Sequence, residues 1–435
     1  MTQLPNEPET SKALQAALRR SRRRTWLLRG LALLVAWGIA ELASFVALAF
    51  LSGGMSGSWR ELDKTAASQA DVDDPLAAED SVHPYFGFVR RPKDPPDPAA
   101  LPVNGFGFVD AQSPIQHREK GKIIVGILGG SLAEEFCESG LPEFEAQLKK
   151  FPRFADKRFV FVRLAISGYK QPQQLFVVSY LLALGAQFDL IVNIDGFNEL
   201  ALPVVENAPA GVFPSFPRGW GVRVLERRDT ALLRRMGEVV YLQETDRAWA
   251  RRFAAIPWCY SPTARLIWSV RHEWLSRAIL AGYRSTIELQ EKHRSFTAQG
   301  PSESFADLPA LLKHCVGVWK RSSLELAKLC DGLGIEYYDF LQPNQYLPGS
   351  KPMNESERSL TVEEKYPARA AIEAGYPLLI EAGRELSSAG VRFHDLTQIF
   401  AHETQPTYRD NCCHLTPTGN ELLAVAMAKA IGAKP

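Results

Sequence analysis

Short apolar runs alternate with amphipathic segments through the second quarter of the chain. Continuous apolar runs at 122–128, 158–166 and 189–195 have the length and composition of buried strands. The segments 141–151 and 171–184 carry apolar residues at helical spacing, and each lies between two of those runs. Strands that alternate with helices predict right-handed β-α-β units, and hence an α/β fold with a parallel sheet covered by helices on both faces.

The alternation breaks and then resumes towards the carboxyl end. Residues 202–300 show no clear strand pattern and are rich in Arg and Trp, which predicts a mostly helical insertion. The pattern after the insertion predicts a long helix, a fourth strand, another helix, a short fifth strand and a closing helix, at about 305–332, 335–340, 367–388, 391–396 and 416–432.

A different hydrophobic pattern lies at the amino terminus. From Gly30 to Leu51 the only charged residue is Glu41, and the cluster RRSRRR at 19–24 precedes this apolar stretch. A helix of about 20 residues spans a hydrocarbon core of about 30 Å, and basic clusters favour the cytoplasmic side. The pattern predicts a transmembrane anchor over 26–52, with the amino terminus cytoplasmic and the remainder periplasmic or otherwise extracytoplasmic.

A cleaved signal peptide is the main alternative to the anchor, because Ala47-Leu48-Ala49 resembles a cleavage site. The apolar stretch is longer than the usual core of a signal peptide, which favours the anchor. Glu41 destabilises the insertion of this helix, because placing an acidic side chain in the middle of the membrane costs free energy. The predicted organisation is a cytoplasmic basic tail, the anchor, a linker and one α/β domain that contains the insertion, at 1–25, 26–52, 53–81 and 82–435.

Composition narrows the functional classes. The chain has 435 residues with 46% apolar content and a formal net charge of +1, which gives no reason to expect nucleic acid as a partner.

Six cysteines fit an exported protein without requiring disulfides, and no pair has the spacing of a zinc site. A bond from Cys412 or Cys413 to Cys137 and free buried thiols remain equal alternatives. The sequence predicts no cofactor and no metal-ligand cluster.

Candidate chemistry lies where the predicted strands end. In an open α/β sheet, ligands bind outside the carboxyl ends of the strands. Three such ends carry the segments GGS (129–131), ISGYKQP (166–172) and DGFNEL (195–200), and YRDNCCHLTPTGN (408–420) precedes the last helix. Alone, each of these segments is more typical of a turn, a helix cap or a structural histidine.

Together these segments supply complementary chemical groups. Ser131 is the candidate nucleophile, His414 the base that takes its proton, and Asp410 the acid that orients the imidazole. The backbone N–H groups of Ser131 and Gly168 and the side-chain amide of Asn198 are candidate donors to an oxyanion. A nucleophile elbow of the form G-x-S-x-G is not present here, because its last position is Ala133.

The ordered motifs GGSL (129–132), SGYK (167–170), GFNE (196–199) and D-x-x-x-H-L (410–415) resemble the SGNH, or GDSL-like, hydrolase superfamily. They are most similar to those of membrane-anchored bacterial members in which GGS replaces GDS. The resemblance covers roughly 82–201 and 305–432. It implies a three-layer α/β/α, flavodoxin-like sheet, and it implies that Ser131 is the nucleophile, Gly168 and Asn198 are oxyanion donors and His414 is the base.

The last motif departs from the family pattern. The family usually places its acid three residues before the histidine, and that position is Asn411 here. We assign the acid to Asp410, four residues before His414, because a loop can adjust by one residue and an amide cannot offer a full negative charge to an imidazolium. Glu199 stands where many members have Asp.

Several other polar residues near these motifs are predicted to be structural. Asp195 and Glu199 are expected to cap a helix or face solvent. His394 and Asp395 lie at a predicted strand end, with lining of the pocket as the less favoured alternative. Cys137 is expected to pack rather than to take part in catalysis.

The resemblance implies an extracytoplasmic serine esterase that acts through an acyl-serine intermediate. Its substrate would be an O-acylated carbohydrate or another small ester, and its contact with the membrane would be the amino-terminal helix. An O-acetyltransferase that uses a sugar hydroxyl in place of water is the first alternative. A non-catalytic glycan-binding or assembly protein on the same scaffold is the second. The sequence does not identify protein partners.

Overall fold

The computed structural model describes residues 7–51, 53–67, 80–92, 101–224, 230–292 and 296–433. Its strands, in chain order, are β1 (Asp80–His83), β2 (Gly87–Arg90), β3 (Lys122–Gly129), β4 (Arg158–Arg163), β5 (Leu190–Asp195), β6 (Glu336–Leu341) and β7 (Arg392–Asp395). Its helices are α1 (Glu7–Leu51), α2 (Met55–Ala67), α3 (Ser131–Ser139), α4 (Leu141–Leu148), α5 (Gln173–Ala183), α6 (Phe197–Leu202), α7 (Trp220–Arg223), α8 (Thr230–Ala254), α9 (Pro262–Lys292), α10 (Phe296–Gln299), α11 (Leu308–Gly332), α12 (Glu355–Thr361), α13 (Arg369–Ser388) and α14 (Pro417–Gly432).

Five parallel strands form the central sheet, in the order β4-β3-β5-β6-β7. Numbered along the chain, this is the order 2-1-3-4-5 of flavodoxin-like, doubly wound sheets. All five predicted strands are present. The predictions of an α/β fold and of a flavodoxin-like sheet are therefore confirmed.

The sheet is covered by a hydrophobic layer on each face. Along β3, Ile124 and Leu128 pack with one cluster of buried residues, whereas Val125 and Ile127 pack with the other. This alternation is the two-residue period of a strand with both faces buried. Helices α5, α11 and α13 contribute to the first cluster and α3, α4 and α14 to the second, which gives the three-layer arrangement.

The segment predicted as a linker is partly helical. Helix α2 occupies the first half of the segment 53–81 that is predicted as a linker, and positions 68–79 lie outside the described residues. Leu62 of α2 is fully buried and packs with Ala250 and Trp268. The sequence pattern does not predict this helix, because its apolar residues are few among many polar ones. The partners of Leu62 lie 188 and 206 positions further along the chain.

The insertion is mostly helical, as predicted, and most of it consists of the long helices α8 and α9. The chain divides into two compact units. One comprises residues 1–69 with 234–286, and the other comprises 70–233 with 287–435. Most of the helical hairpin of α8 and α9 thus belongs to the same unit as α1, and the remaining insertion residues belong to the sheet-containing unit.

Helix α1 contains an apolar segment, Arg24–Leu51, that is 28 residues long with a mean hydropathy of 2.1 in its most apolar window. It is the one helix in the described part of the chain that is long and apolar enough to cross a membrane. Most of its apolar side chains are exposed, including Leu33, Trp37 and Leu42.

Candidate active site

Ser131 lies at the switch point of the sheet. Strand β3 ends at Gly129, and Ser131 is the first residue of α3. In the 2-1-3-4-5 order the chain winds to opposite sides from the neighbouring strands β3 and β5, which opens a crevice at their carboxyl ends. The first N–H groups of a helix have no acceptor within that helix, so the amino terminus of α3 offers donors next to the serine hydroxyl.

The structure brings Ser131, His414 and Asp410 together. The Nε2 atom of His414 lies 2.7 Å from the Oγ atom of Ser131, and its Nδ1 atom lies 2.5 Å from the Oδ2 atom of Asp410. All three residues are partly buried. Both ring nitrogens are thus engaged in the order that a serine hydrolase requires, with the hydroxyl on one side and the carboxylate on the other.

A tight loop explains why an acid four residues before the histidine can reach it. An isolated bridge between Tyr408 and Leu415 closes the loop, and the Arg409 N–H donates to the His414 carbonyl at 3.1 Å. Inside the loop, the Oδ1 atom of Asp410 accepts the backbone N–H groups of Cys412 at 2.9 Å and His414 at 3.3 Å. These bonds fix the carboxylate, so that its other oxygen faces the imidazole.

Asn411, which occupies the position usual for the acid, is directed elsewhere. Its side-chain amide donates to the Oε2 atom of Glu363 at 2.7 Å, and its carbonyl oxygen accepts the Tyr346 hydroxyl at 2.8 Å. The geometry supports the assignment of the acid to Asp410.

Charge around the imidazole favours its protonated form. Burial alone would lower the pKa of His414, but the hydrogen bond with Asp410 and nearby negative charge raise that pKa to about 9. Part of this charge belongs to Glu135, whose Oε1 atom lies 3.8 Å from Nε2. Burial would raise the pKa of Asp410, yet its bonds to His414 hold that pKa below its usual value. The pair therefore resembles an imidazolium-carboxylate pair at neutral pH.

This raised pKa predicts an alkaline activity profile. A general base must be unprotonated, and the neutral fraction of His414 grows as pH rises through its pKa of about 9. We expect kcat/KM for a small ester to rise with pH through an apparent pKa well above the ordinary histidine value of about 6.5. A pH series of initial rates checks this, and a rise that is complete near pH 6.5 would contradict it.

On the opposite side of the crevice, Glu134 holds the loop that carries Gly168. Its Oε2 atom accepts the backbone N–H of Ser167 at 2.7 Å and pairs with the guanidinium of Arg90 at 3.0 Å. Burial raises the pKa of Glu134, and the charge of Arg90 opposes this rise. Glu134 is not among the site residues that the sequence motifs predict. Its position three residues after Ser131 was the available signal, although a first-turn acid is more typical of a cap.

Asn198 lies directly against the turn that precedes the serine. Its Nδ2 atom donates to the Tyr169 carbonyl at 2.8 Å. A Cβ atom added to Gly130 would stand 2.1 Å from that Nδ2 atom, so a side chain at position 130 would displace the amide. Gly168 has φ +84°, a left-handed conformation that favours glycine, and it follows the second parallel strand as predicted. The first three motifs therefore converge at one edge of the sheet.

Substitution of Asn198 tests this side of the site. We expect Asn198→Ala to lower kcat for a small ester by about 10²–10³-fold, the usual effect of removing one oxyanion donor. Steady-state kinetics give kcat, and thermal unfolding shows whether loss of the bond to Tyr169 has altered the fold. A kcat close to that of the wild type in a folded variant would exclude Asn198 as a donor to the oxyanion.

Glu199 and Asp195 are both buried, so the alternative that they face solvent is wrong. Glu199 caps α6, as predicted, because its Oε2 atom accepts the Gly196 N–H at 2.8 Å, and its Oε1 atom accepts the Gln171 N–H at 3.1 Å. It thus ties the second motif to the third. Asp195 accepts hydrogen bonds from the amides of Gln171, Gln174 and Asn193, and burial raises its pKa well above the usual value.

His394 and Asp395 are not in contact with the triad in the described structure. The His394 ring stacks against Tyr338 and Phe340, and Asp395 accepts the backbone N–H of Thr397 at 2.9 Å. These contacts agree with the structural roles that the sequence favoured.

The cysteines are all free thiols, and Cys137 is buried in the core. The alternative of a bond to Cys412 or Cys413 is therefore not realised. The ligand atoms of Cys412, Cys413 and His414 lie within 4.8 Å of one another, a spacing that a bound metal ion would need. Both nitrogens of His414 are already bonded to Ser131 and Asp410, which leaves the cluster without its imidazole ligand.

No protein-family model matches the chain, and no curated protein matches it. Solved structures similar to it include a GDSL-like lipase from Bacteroides thetaiotaomicron, with 11% identity, a TM-score of 0.34 and coverage of 73% of this chain and 90% of that one. A second, described as an acylhydrolase of Bacteroides fragilis, has 9% identity, a TM-score of 0.33 and coverage of 73% and 89%. A third, an acetyl xylan esterase, has 10% identity, a TM-score of 0.32 and coverage of 71% and 100%.

Proposed function

We propose that the chain is a serine esterase of the SGNH type, with Ser131 as nucleophile, His414 as base and Asp410 as the residue that orients His414. The observation that carries this proposal is the continuous path of hydrogen bonds from the Ser131 hydroxyl through both ring nitrogens to the Asp410 carboxylate. This path lies at the carboxyl edge of the sheet, where ligands of doubly wound folds bind.

The reaction begins when the Oγ atom of Ser131 attacks the ester carbonyl carbon and its proton passes to Nε2 of His414. The negative charge then resides on the former carbonyl oxygen, and the N–H groups of Ser131 and Gly168 with the Asn198 amide stabilise it. As the C–O bond to the alcohol breaks, His414 returns the proton to the departing oxygen. The product of this half-reaction is an acyl ester of Ser131.

Water completes the cycle. The oxygen of a water molecule attacks the acyl-serine carbonyl while His414 takes a proton from that water. When the C–Oγ bond then breaks, His414 returns a proton to the Oγ atom of Ser131. Asp410 stays ionised throughout and stabilises the imidazolium, which agrees with the lowered pKa of its carboxyl group. The products are the free acid and the regenerated serine.

We further propose that the enzyme acts outside the cytoplasm, anchored by α1, on O-acyl groups of carbohydrate or of another small ester. The apolar segment Arg24–Leu51 and the basic cluster before it support the anchor and its orientation. The sequence motifs of the SGNH superfamily support the substrate class.

Release of acetate tests this function. The purified full-length chain is incubated with an acetylated oligosaccharide and, separately, with a chromogenic acetyl ester. We expect free acetate in amounts equal to the deacetylated sugar. Transfer of the acetyl group to an added sugar without release of acetate would show that the protein is a transferase and not an esterase. A folded chain that does neither would support the non-catalytic alternative.

A further inference from the structure

The helical hairpin of α8 and α9 ends in a tip that carries no charge. The twelve residues from Phe253 to Ala264 include no charged side chain. Three large side chains of this tip are exposed, namely Ile256, Trp258 and Tyr260, with exposed fractions of 77%, 56% and 74%. Exposed apolar side chains that cluster in this way mark a surface that contacts a partner or a membrane.

The tip is fixed to α1 through Glu41. The Oε1 atom of Glu41 lies 2.6 Å from the Ser261 hydroxyl, and its Oε2 atom accepts the backbone N–H of Thr263 at 3.0 Å. One turn further along α1, the Ser44 hydroxyl lies 3.1 Å from that of Thr263. The first turn of α9 is thus capped by the single acid of the apolar stretch.

The position of Glu41 sets the depth of the tip. Any 20-residue stretch chosen within Arg24–Leu51 to span the hydrocarbon core contains residue 41, because the segment has only 28 residues. If α1 crosses a bilayer, the hairpin tip therefore lies at or below the lipid-water boundary. Because Leu51 is ten residues after Glu41, the depth is at most about 15 Å from the end of the segment.

From this placement we propose that the α8–α9 tip inserts into the same lipid bilayer as α1, with Ile256, Trp258 and Tyr260 in contact with lipid. The inference rests on the proposed anchoring of the chain by α1. Trp and Tyr are typical of the interfacial region, where one side of the ring contacts acyl chains and the polar group reaches water. The lipid surface would thus cover the exposed rings.

Part of the backbone of the tip is bonded internally, which lowers the free-energy cost of moving it out of water. The N–H groups of Cys259, Tyr260 and Ser261 donate to carbonyl groups within the tip, at 3.1–3.2 Å. Pro257 and Pro262 have no N–H group to satisfy. Non-helical backbone at membrane depth requires such internal bonding.

The first charge after the tip is also bonded internally. Arg265 is 2% exposed, and its Nε and Nη2 atoms donate to the Cys259 carbonyl at 2.7 and 2.6 Å. Its guanidinium also lies over the Trp59 ring, 4.1 Å from the centroid. The same unit holds a cleft of about 440 Å³ beside Glu41 and Arg252, and apolar side chains such as Phe253 form most of its remaining wall, which acyl chains could fill.

Fluorescence quenching in nanodiscs tests the proposal on the full-length chain. Ile256→Cys, Val35→Cys and Tyr241→Cys are each labelled with an environment-sensitive dye, and the wild-type chain gives the background from native thiols. Val35 lies in the apolar segment of α1 and is 53% exposed. Tyr241 is 68% exposed and lies 13 residues before the end of α8, about 20 Å along the helix. Quenchers are lipids that carry a nitroxide on the acyl chain.

We expect the dye at position 256 to be quenched as strongly as that at 35, while the dye at 241 stays near its value without nitroxide. Quenching at 35 alone would overturn insertion of the tip and leave the anchor in place. Quenching at neither position would overturn both. Ester hydrolysis by each labelled chain is measured in parallel, so that a failure of the proposed catalysis is recorded separately from a failure of membrane contact.

Discussion

Replacement of Ser131 by alanine is expected to lower ester hydrolysis by about 10⁴-fold or more, because it removes the hydroxyl to which the Nε2 atom of His414 is bonded. Alanine is well suited to the first position of a helix, so α3 should form and the fold should persist. The measurement is kcat/KM for a small acetyl ester, with thermal unfolding as the check on folding.

Ser139→Ala is the matched control for this experiment. Ser139 is the last residue of the same helix, and its hydroxyl bonds to the Glu135 carbonyl and to the Asn420 amide rather than to the triad. We expect this variant to retain its activity. A folded Ser131→Ala variant that hydrolyses the ester at the wild-type rate would show that the reaction takes place elsewhere.

Asp410→Asn should lower kcat by about 10²–10⁴-fold, in the range between a general acid–base contribution and the loss seen when a triad acid becomes an amide. The amide can present its N–H to Nδ1 and so favour the wrong tautomer of His414, and it removes the charge that stabilises the imidazolium. Because that charge also raises the pKa of His414, the remaining activity should rise with pH at a lower apparent pKa than in the wild type.

Asn411→Ala is the companion variant, because Asn411 occupies the family's usual acid position but bonds to Glu363 instead. We expect only a small change in kcat. A large loss for Asn411→Ala beside a small loss for Asp410→Asn would show that the acid is misassigned. Small losses in both would indicate a Ser–His dyad whose tautomer is held by another group.

The sheet could be predicted from the sequence because its strands are buried on both faces. Such strands are continuous apolar runs, and the glycines and polar residues that follow them mark their carboxyl ends. Because parallel strands point the same way, the residues that follow their carboxyl ends lie at the same edge of the sheet. This is why Ser131, Gly168 and Asn198 could be placed together without a structure.

Other contacts could not be predicted because they depend on residues far apart in the chain. Nothing in the local pattern of α3 shows that Glu134 would bond to the backbone of Ser167 rather than cap its own helix. Likewise, the local pattern around Glu41 indicates only the free-energy cost of an acid within an apolar stretch. Its bonds to Ser261 and Thr263 show that it caps the first turn of α9. Those partners are about 220 positions away, and no short-range pattern in the sequence relates α9 to α1.

Labelling with a fluorophosphonate, followed by mapping of the modified residue, tests the central claim most directly. The reagent bonds covalently to a serine whose hydroxyl is activated by a neighbouring base, and here only Ser131 is described with its hydroxyl bonded to a histidine ring nitrogen. The account predicts one modified serine, Ser131, with labelling that is lost in Ser131→Ala and strongly slowed in Asp410→Asn. Modification of a different serine, or a folded wild-type chain that is not modified at all, would contradict it.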